Sequence, residues 1–223
     1  MSDILEPRAN AVQPQPNKKK PETDRAVRNI LEVATKEFSE KGLAGARIDE
    51  IAEKTNYSKR MIYYHFRDKN DLYLRCLEEE YKRIRADEEA LDLDGLSAVA
   101  ALTRIIEFRV NHHFNNQDFV RLVMIENIHG CQFLDMSETI RAISVNSIGA
   151  TEAVYNRGVD EGVFRPGIAP IDIQWMIAAM SFFSISNQTS FAWVFDLPPY
   201  DEAQHQTRRA FILDAVLNHL MVR

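Results

Sequence analysis

Between Ile48 and Phe66 the sequence sets two short helical segments on either side of only three residues, Thr55-Asn56-Tyr57, and few folds accept that spacing. The first segment, Ile48-Asp-Glu-Ile-Ala-Glu-Lys-Thr55, directs Ile48, Ile51 and Ala52 inward and its charges outward over barely two turns. The second starts at Ser58, whose hydroxyl can cap the free amides of the next turn, and runs through Lys59-Arg-Met-Ile-Tyr-Tyr-His-Phe66. A link this tight calls for a left-handed residue, and asparagine, present as Asn56, is one of the few non-glycine residues that accept that conformation. Ile62 and Phe66, four apart, face the core, which leaves Lys59, Arg60, Met61, Tyr63, Tyr64 and His65 on or near the outer face. Two adjacent exposed tyrosines beside a histidine have little use in water. In a groove they bond phosphates and touch sugars and thymine methyls, so the pair of segments matches the geometry that places a recognition helix against duplex DNA.

Helical spacing extends along the rest of the chain. Val27, Ile30, Leu31, Ala34 and Phe38 recur three and four apart from Asp24 onward, and Gly42 stops that helix after Lys41. Asp68 can cap a helix from Lys69 to about Glu89, long enough to link two domains. Further helices are expected at about 95–115, 118–129, 137–161, 170–193 and 204–221, with Gly158 and Gly162 punctuating the third of these and Pro170 opening the fourth. No strand pattern competes, and the 8 Gly and 8 Pro are few for a chain of many turns. The fold class is therefore all-α. It comprises an N-terminal three-helix DNA-binding domain over 23–75 and a C-terminal helical ligand-binding and dimerisation domain over 76–223. Residues 1–22, with four prolines and Lys18-Lys19-Lys20, read as a disordered basic arm that either stays solvated or touches DNA.

Charge is divided the same way. The overall charge is −6, yet residues 1–75 carry 15 basic against 12 acidic side chains, and the remainder 12 against 21. A mildly basic head on an acidic body confines phosphate attraction to one end. The N-terminal stretch lacks an apolar run for a signal peptide, and nowhere do about 18 apolar residues run uninterrupted. Cys76 and Cys131 lack metal or redox spacing and read as buried free thiols. A cytoplasmic protein without membrane contact is expected.

Residues 24–73 resemble the TetR-family DNA-binding domain. The match is carried by Ile48-Asp-Glu-Ile-Ala, then Thr55-Asn-Tyr-Ser-Lys, then Ile62-Tyr-Tyr-His-Phe-Arg-Asp-Lys69, followed by Leu72. The resemblance implies that Lys59, Arg60, Met61 and Tyr64 lie closest to base edges, while Tyr63, His65 and Lys69 bind phosphates. With Arg47 and the capping Ser58 these form the expected DNA-binding set. Ala46 and Arg47 stand where relatives often carry Thr, Asn56 where they carry Gly, and Arg60 and Met61 where small residues are common. Ala46 forgoes a hydroxyl cap, and Arg47 can supply a phosphate contact instead. Arg60 could make a bidentate contact to guanine or serve the backbone. Farther on, Arg157-Gly-Val-Asp-Glu-Gly-Val-Phe-Arg-Pro166 fits the family too, and residues 100–195 are loosely similar to the regulatory domain of the pyrimidine-utilisation regulator branch, which does not license a pyrimidine ligand.

The resemblance implies a transcriptional regulator that binds a palindromic operator as a homodimer through its last two helices. It is expected to be a repressor released by a small-molecule effector. Trp175, Met176, Met180, Phe182, Phe183, Phe191 and Trp193 crowd one helix on more than one face, which reads as core plus dimer interface, or also as a pocket wall. Phe108, His112, Met124, Trp175, Met176 and Phe183 are the expected ligand lining, with His112 as a polar anchor that makes the response sensitive to pH near neutrality. Two alternatives stay open: a ligand-independent structural DNA-binding dimer, and a helical enzyme. For the enzyme, His112, His113 and His129 with Glu126 could be assembled into a metal site, but adjacent histidines diverge on a helix and no H-x-x-x-H or H-E-x-x-H spacing occurs. No cofactor or metal is implied.

Overall fold

A computed structural model describes residues 19–145, 148–198 and 200–222. Eleven helices are present among them, and the only β pairing is an isolated bridge between Phe164 and Met221. The first four are α1 (Lys19–Gly45), α2 (Ile48–Thr55), α3 (Lys59–His65) and α4 (Lys69–Glu89). Residues 1–18 of the expected arm lie outside the described residues, and α1 is helical from Lys19, earlier than Asp24. Pro21 does not prevent this, because a proline near a helix start removes no needed hydrogen bond. Gly42 leaves helical space (φ 67°, ψ 172°), as expected of a stop there, and one more turn reaches Gly45.

Beyond α4 come α5 (Ala98–Asn115), α6 (Gln117–Ile128), α7 (Glu138–Val145), α8 (Gly149–Asp160), α9 (Pro170–Ser186), α10 (Gln188–Val194) and α11 (Glu202–Leu220). The expected segment 137–161 holds α7 and α8, with residues 146–147 between them outside the described residues. The segment 170–193 breaks at Asn187, where the Ser190 hydroxyl donates to the Asn187 carbonyl and the Asn187 side-chain Nδ2 donates to the Ser186 hydroxyl. Short polar side chains of this kind compete with the helical backbone.

Two large apolar clusters organise the molecule. The first joins Ile30, Leu31, Ala34 and Phe38 of α1 to Ile48 and Ile51 of α2, Ile62 of α3, and Leu72, Tyr73, Cys76 and Leu77 of α4. It continues past Arg75 into Leu122, Phe133 and Ile140, so the head shares its core with α6 and α7. Polar ties reinforce the join: the Ser39 hydroxyl donates to Asp118 at 2.7 Å, and the Ser137 hydroxyl to Glu78 at 2.8 Å. The second cluster packs α5 against α8, α9 and α11 through Leu102, Ile105, Ile106, Val154, Ile173, Ile177, Ile212 and Val216.

Gly158 falls in the last turn of α8, as expected, and its carbonyl accepts from the Val163 and Phe164 amides at 2.9 Å. It lies inside α8, buried against the Phe164 ring, and the turn falls at Gly162 (φ 70°). A Cβ on Gly158 would come within 2.0 Å of Phe164 Cδ2. Gly158→Ala is therefore expected to destabilise the protein by about 1–3 kcal/mol, as overpacked cores do, read from urea unfolding of the variant against the parent.

Candidate nucleic-acid interface

α3 is seven residues long, too short to be stable in isolation, so its orientation is set by what surrounds it. Ile62 and Phe66 anchor it in the first cluster. The preceding turn is fixed by Asn56 in the left-handed region (φ 59°, ψ 18°) and by the Thr55 hydroxyl, which donates to the Ala52 carbonyl and accepts from the Tyr57 amide. Ser58 accepts from the Met61 amide at 3.2 Å, and Asp68 caps α4 by accepting from the Asp71 amide at 2.9 Å. α2 starts with Arg47, not Ala46, extended at its N-cap, and there is no side-chain cap because arginine carries no acceptor.

Below this surface, Glu37 of α1 is almost fully buried between Lys41 (2.9 Å) and Lys54 of α2. Burial pushes its carboxyl up, but the hydrogen bonds from the two lysines outweigh it and hold the group below its ordinary value. Lys41 and Lys54 are thereby committed to orienting α2 on α1. The sequence reading did not single out this lock; its signal was a glutamate on the apolar side of α1.

The outward face of α3 presents Arg60, Met61, Tyr63 and Tyr64, the last 78% exposed, with His65 half-buried and edge-on to the Tyr64 ring at 5.0 Å. Among the described residues Arg47 and Arg60 form no salt bridge, although the Arg47 charge, after the Lys59 hydrogen bond, helps hold the Asp49 carboxyl below its ordinary value. Lys59 pairs with Asp49 of α2 at 2.8 Å, which holds its ammonium at the α2–α3 seam and raises its pKa through that hydrogen bond. Lys69 donates to the Ala46 carbonyl at 3.2 Å, beside the start of α2 and at the first turn of α4. The nine residues expected to meet DNA thus fall on α3 or within a turn of its two ends and the α2 start. Lys69→Ala is expected to weaken binding to every duplex and lower the salt slope by about 1, Arg60→Ala to change sequence preference, and Asp49→Ala, by releasing Lys59, to raise nonspecific affinity. Anisotropy titrations at several salt concentrations check all three.

The expected ligand lining is not gathered around one cavity. Trp175 (72% exposed) and Phe183 point outward from α9, Met176 packs into the second cluster, and Met124 joins a third with Phe119, Val120 and Ile185. α9 is apolar all round, and a single chain cannot cover every side of it. Phe108 and His112 meet at a cleft of about 370 Å³, and Trp175 and Phe183 at a separate, open groove along α9. His112 and His113 are both buried. Burial first, then neighbouring cations, lowers His112 to about 4, and burial lowers His113 to about 3, so His112 does not titrate near neutrality as the sequence reading supposed. His113 bonds the Ser181 hydroxyl at 2.9 Å, His129 is exposed, and Glu126 accepts from the Phe133 and Leu134 amides at 3.0 and 3.1 Å; these four do not form a ligand set. Of the two thiols expected to be buried, Cys76 is, whereas Cys131 is half-buried in a turn with φ 59°. Both histidines are neutral in the fold while an unfolded histidine protonates near 6.5, so the unfolded state takes up more protons below that pH. Stability is expected to fall as pH drops from about 6.5 towards about 4, less steeply in His112→Asn, by thermal unfolding across that range.

A family profile described as bacterial regulatory proteins, tetR family, matches residues 30–76, and one described as Tetracyclin repressor-like, C-terminal domain, matches residues 99–216. The HTH-type transcriptional repressor NicS of Pseudomonas putida is 30% identical over 89% of this chain and 94% of its own length. Among solved structures, a bacterial regulatory protein in the tetR family from Rhodococcus RHA1 superposes with a TM-score of 0.70 at 19% identity, covering 89% of this chain and 98% of that one. AibR, solved in complex with isovaleryl coenzyme A and operator DNA, superposes with a TM-score of 0.63 at 17% identity, covering 85% and 97%. Among the described residues no helix is long and apolar enough to cross a membrane.

Proposed function

The chain belongs to the TetR family and is a DNA-binding transcriptional regulator rather than an enzyme; from that premise we propose that it is a cytoplasmic repressor, binding a palindromic operator as a homodimer and released by a small-molecule effector. The observation that carries the DNA reading is the outward face of α3. It brings together an unpaired arginine, two exposed tyrosines and a thioether on a helix whose inner side is locked to α1, α2 and α4. Arg60, Met61, Tyr64 and Lys59 are assigned to base edges, and Arg47, Ser58, Tyr63, His65 and Lys69 to the phosphate backbone.

Dimerisation is supported by apolar surface. Ile171, Trp175 and Phe183 of α9 are exposed in the single chain along a shallow groove that Ala178 and Ala179 also line, and Phe211 of α11 is exposed at a second groove. Contiguous apolar surface of this kind marks an interaction site, and a two-fold partner is what a palindrome demands. Two recognition helices in successive major grooves place half-site centres about 34 Å apart or a multiple of that.

Release rests on α4, whose N-terminal end abuts α3 and whose C-terminal end lies among the sensor helices. A ligand that prefers one arrangement of those helices shifts the spacing of the two recognition helices. A coupling of about 1–3 kcal/mol, or about 5- to 150-fold in DNA affinity, suffices for a switch. NicS and AibR are respectively named a repressor and a protein bound to operator DNA and an acyl-coenzyme A, which agrees with this reading. Selection from random duplexes is expected to enrich a palindrome, and sedimentation at micromolar concentration to give a dimer that Trp175→Glu converts to monomer. Absence of any sequence preference, or a monomeric parent, would overturn the corresponding part.

A further inference from the structure

His112 of α5 is only 5% exposed, and neither of its ring nitrogens has a hydrogen-bond partner among the described residues. Buried polar groups in folded proteins almost always have one, and leaving such a group unmet opposes folding. The ring belongs to the wall of the cleft of about 370 Å³, which also takes in Asp87 at the end of α4, Leu91 just beyond it, and Phe108 and Asn111 of α5. Phe108, Asn111 and His112 stand three and four apart and share one face of that helix. A volume of this size falls within the range of about 300–1,000 Å³ common to small-molecule sites. Asn111 brings a second polar group. One end of its amide bonds the His205 ring at 2.9 Å, and the other end has no partner among the described residues. Phe108, with its ring 6.0 Å from that of His112, and Leu91 supply apolar wall.

Charges of both signs surround the ring. Burial, ahead of the neighbouring charges, lowers His112 to about 4, so at neutral pH the imidazole is uncharged and offers one donor and one acceptor. Arg83, Arg109 and Arg85 act on it as cations and Asp87 as an anion. The cleft's own charged lining is Asp87, Glu107 and Arg104, with Glu107 4.0 Å from Arg209. An ammonium at the ring would meet the three arginines, and a carboxylate would meet an acidic lining with no imidazolium to hold it.

We infer that this cleft takes a small uncharged aryl carboxamide, its amide bonded to His112 and Asn111 and its aromatic body laid against Phe108 and Leu91. The inference rests on the effector reading above and names the chemistry of that effector. A primary carboxamide carries both a donor and an acceptor, as neutral imidazole does, so it meets either tautomer of His112 and whichever end of the Asn111 amide is left over. Sites built to hydrogen-bond a ligand reject analogues that lack the matching group, because the protein's polar atoms then stay unmet. A molecule held between Asp87 and His112 acts on the end of α4 opposite α3, the helix through which release is proposed to travel.

The test uses the full chain with benzamide and 2-naphthamide, the acids benzoate and 2-naphthoate, and the amines benzylamine and 2-naphthylmethylamine, read by thermal unfolding and by anisotropy on the selected operator. The amides are expected to raise the unfolding midpoint and weaken operator binding, with the acids and amines inactive at the same concentration. His112→Phe keeps a ring in place and removes both nitrogens. It is expected to weaken amide binding at least about 10-fold without lowering the ligand-free midpoint, whereas a purely structural His112 would lower that midpoint and leave amide binding unchanged. His112→Gln, which restores a donor and an acceptor, is expected to recover most of the lost affinity. Asn111→Ala is expected to weaken the amides in the same direction, and it reads the site even where His112→Phe does not fold. Acids or amines binding as tightly as the amides, amide binding unchanged in either His112→Phe or Asn111→Ala, or no amide binding by the parent would overturn the site. The effector reading has its own arm. Operator release by a whole small-molecule extract, without amide binding, overturns the amide site and leaves that reading standing. No release by the extract overturns the effector reading itself.

Discussion

Tyr73 is the hinge of the packing. Its ring meets Phe38 of α1 edge-on at 5.1 Å and Phe133, in the turn after α6, at 5.0 Å, and the side chain is fully buried. Such aromatic pairs add to the burial of their area and prefer one geometry. The contact therefore fixes α4 against α1 on one side and against the sensor on the other. Everything that aims α3 follows, since a seven-residue helix borrows its stability from Ile62 and Phe66 in the core that Tyr73 helps to close.

That shared core changes what coupling between the two halves means. A linker helix alone would transmit little, because a lone helix can tilt without disturbing either end. Here the head's apolar cluster runs on into Leu122, Phe133 and Ile140, and the Ser39–Asp118 and Ser137–Glu78 hydrogen bonds cross the same junction. Close-packed interiors pass displacements on instead of absorbing them. A shift of α6 or α7 is accordingly felt at α1, and through α1 by the α2–α3 unit.

Polar groups divide into those that lock and those that wait. Glu37, Asp68, Ser58 and Glu126 each have their partners and serve as fasteners of helix ends and seams. Arg60 is exposed on the surface, and inside, Arg85 Nε, Arg109 Nε and both His112 ring nitrogens are buried without a partner among the described residues. The surface group costs nothing while water solvates it. The buried ones carry a desolvation cost that the fold itself does not return, and for that reason they are the more informative of the two.

The recognition unit was legible residue by residue in the sequence. Local rules decide it: Asn56 tolerates the left-handed turn, Ser58 and Asp68 cap the next turns, and the i, i+4 spacing of Ile62 and Phe66 fixes which side faces out. Helix type and approximate extent followed from periodicity for the same reason, although the break at Asn187 escaped it because an apolar repeat continues across it. The sensor interior was not legible. Apolar side chains on α9 look alike whether they fill a core or face a partner, so only the tertiary structure could turn Trp175 and Phe183 outward. The meeting of Arg85 and Glu88 with Arg109 was equally hidden, since it depends on how α4 crosses α5 over a separation of about twenty residues. Sequence determines what a few neighbouring residues must do, and long-range packing alone decides which distant charges are buried together.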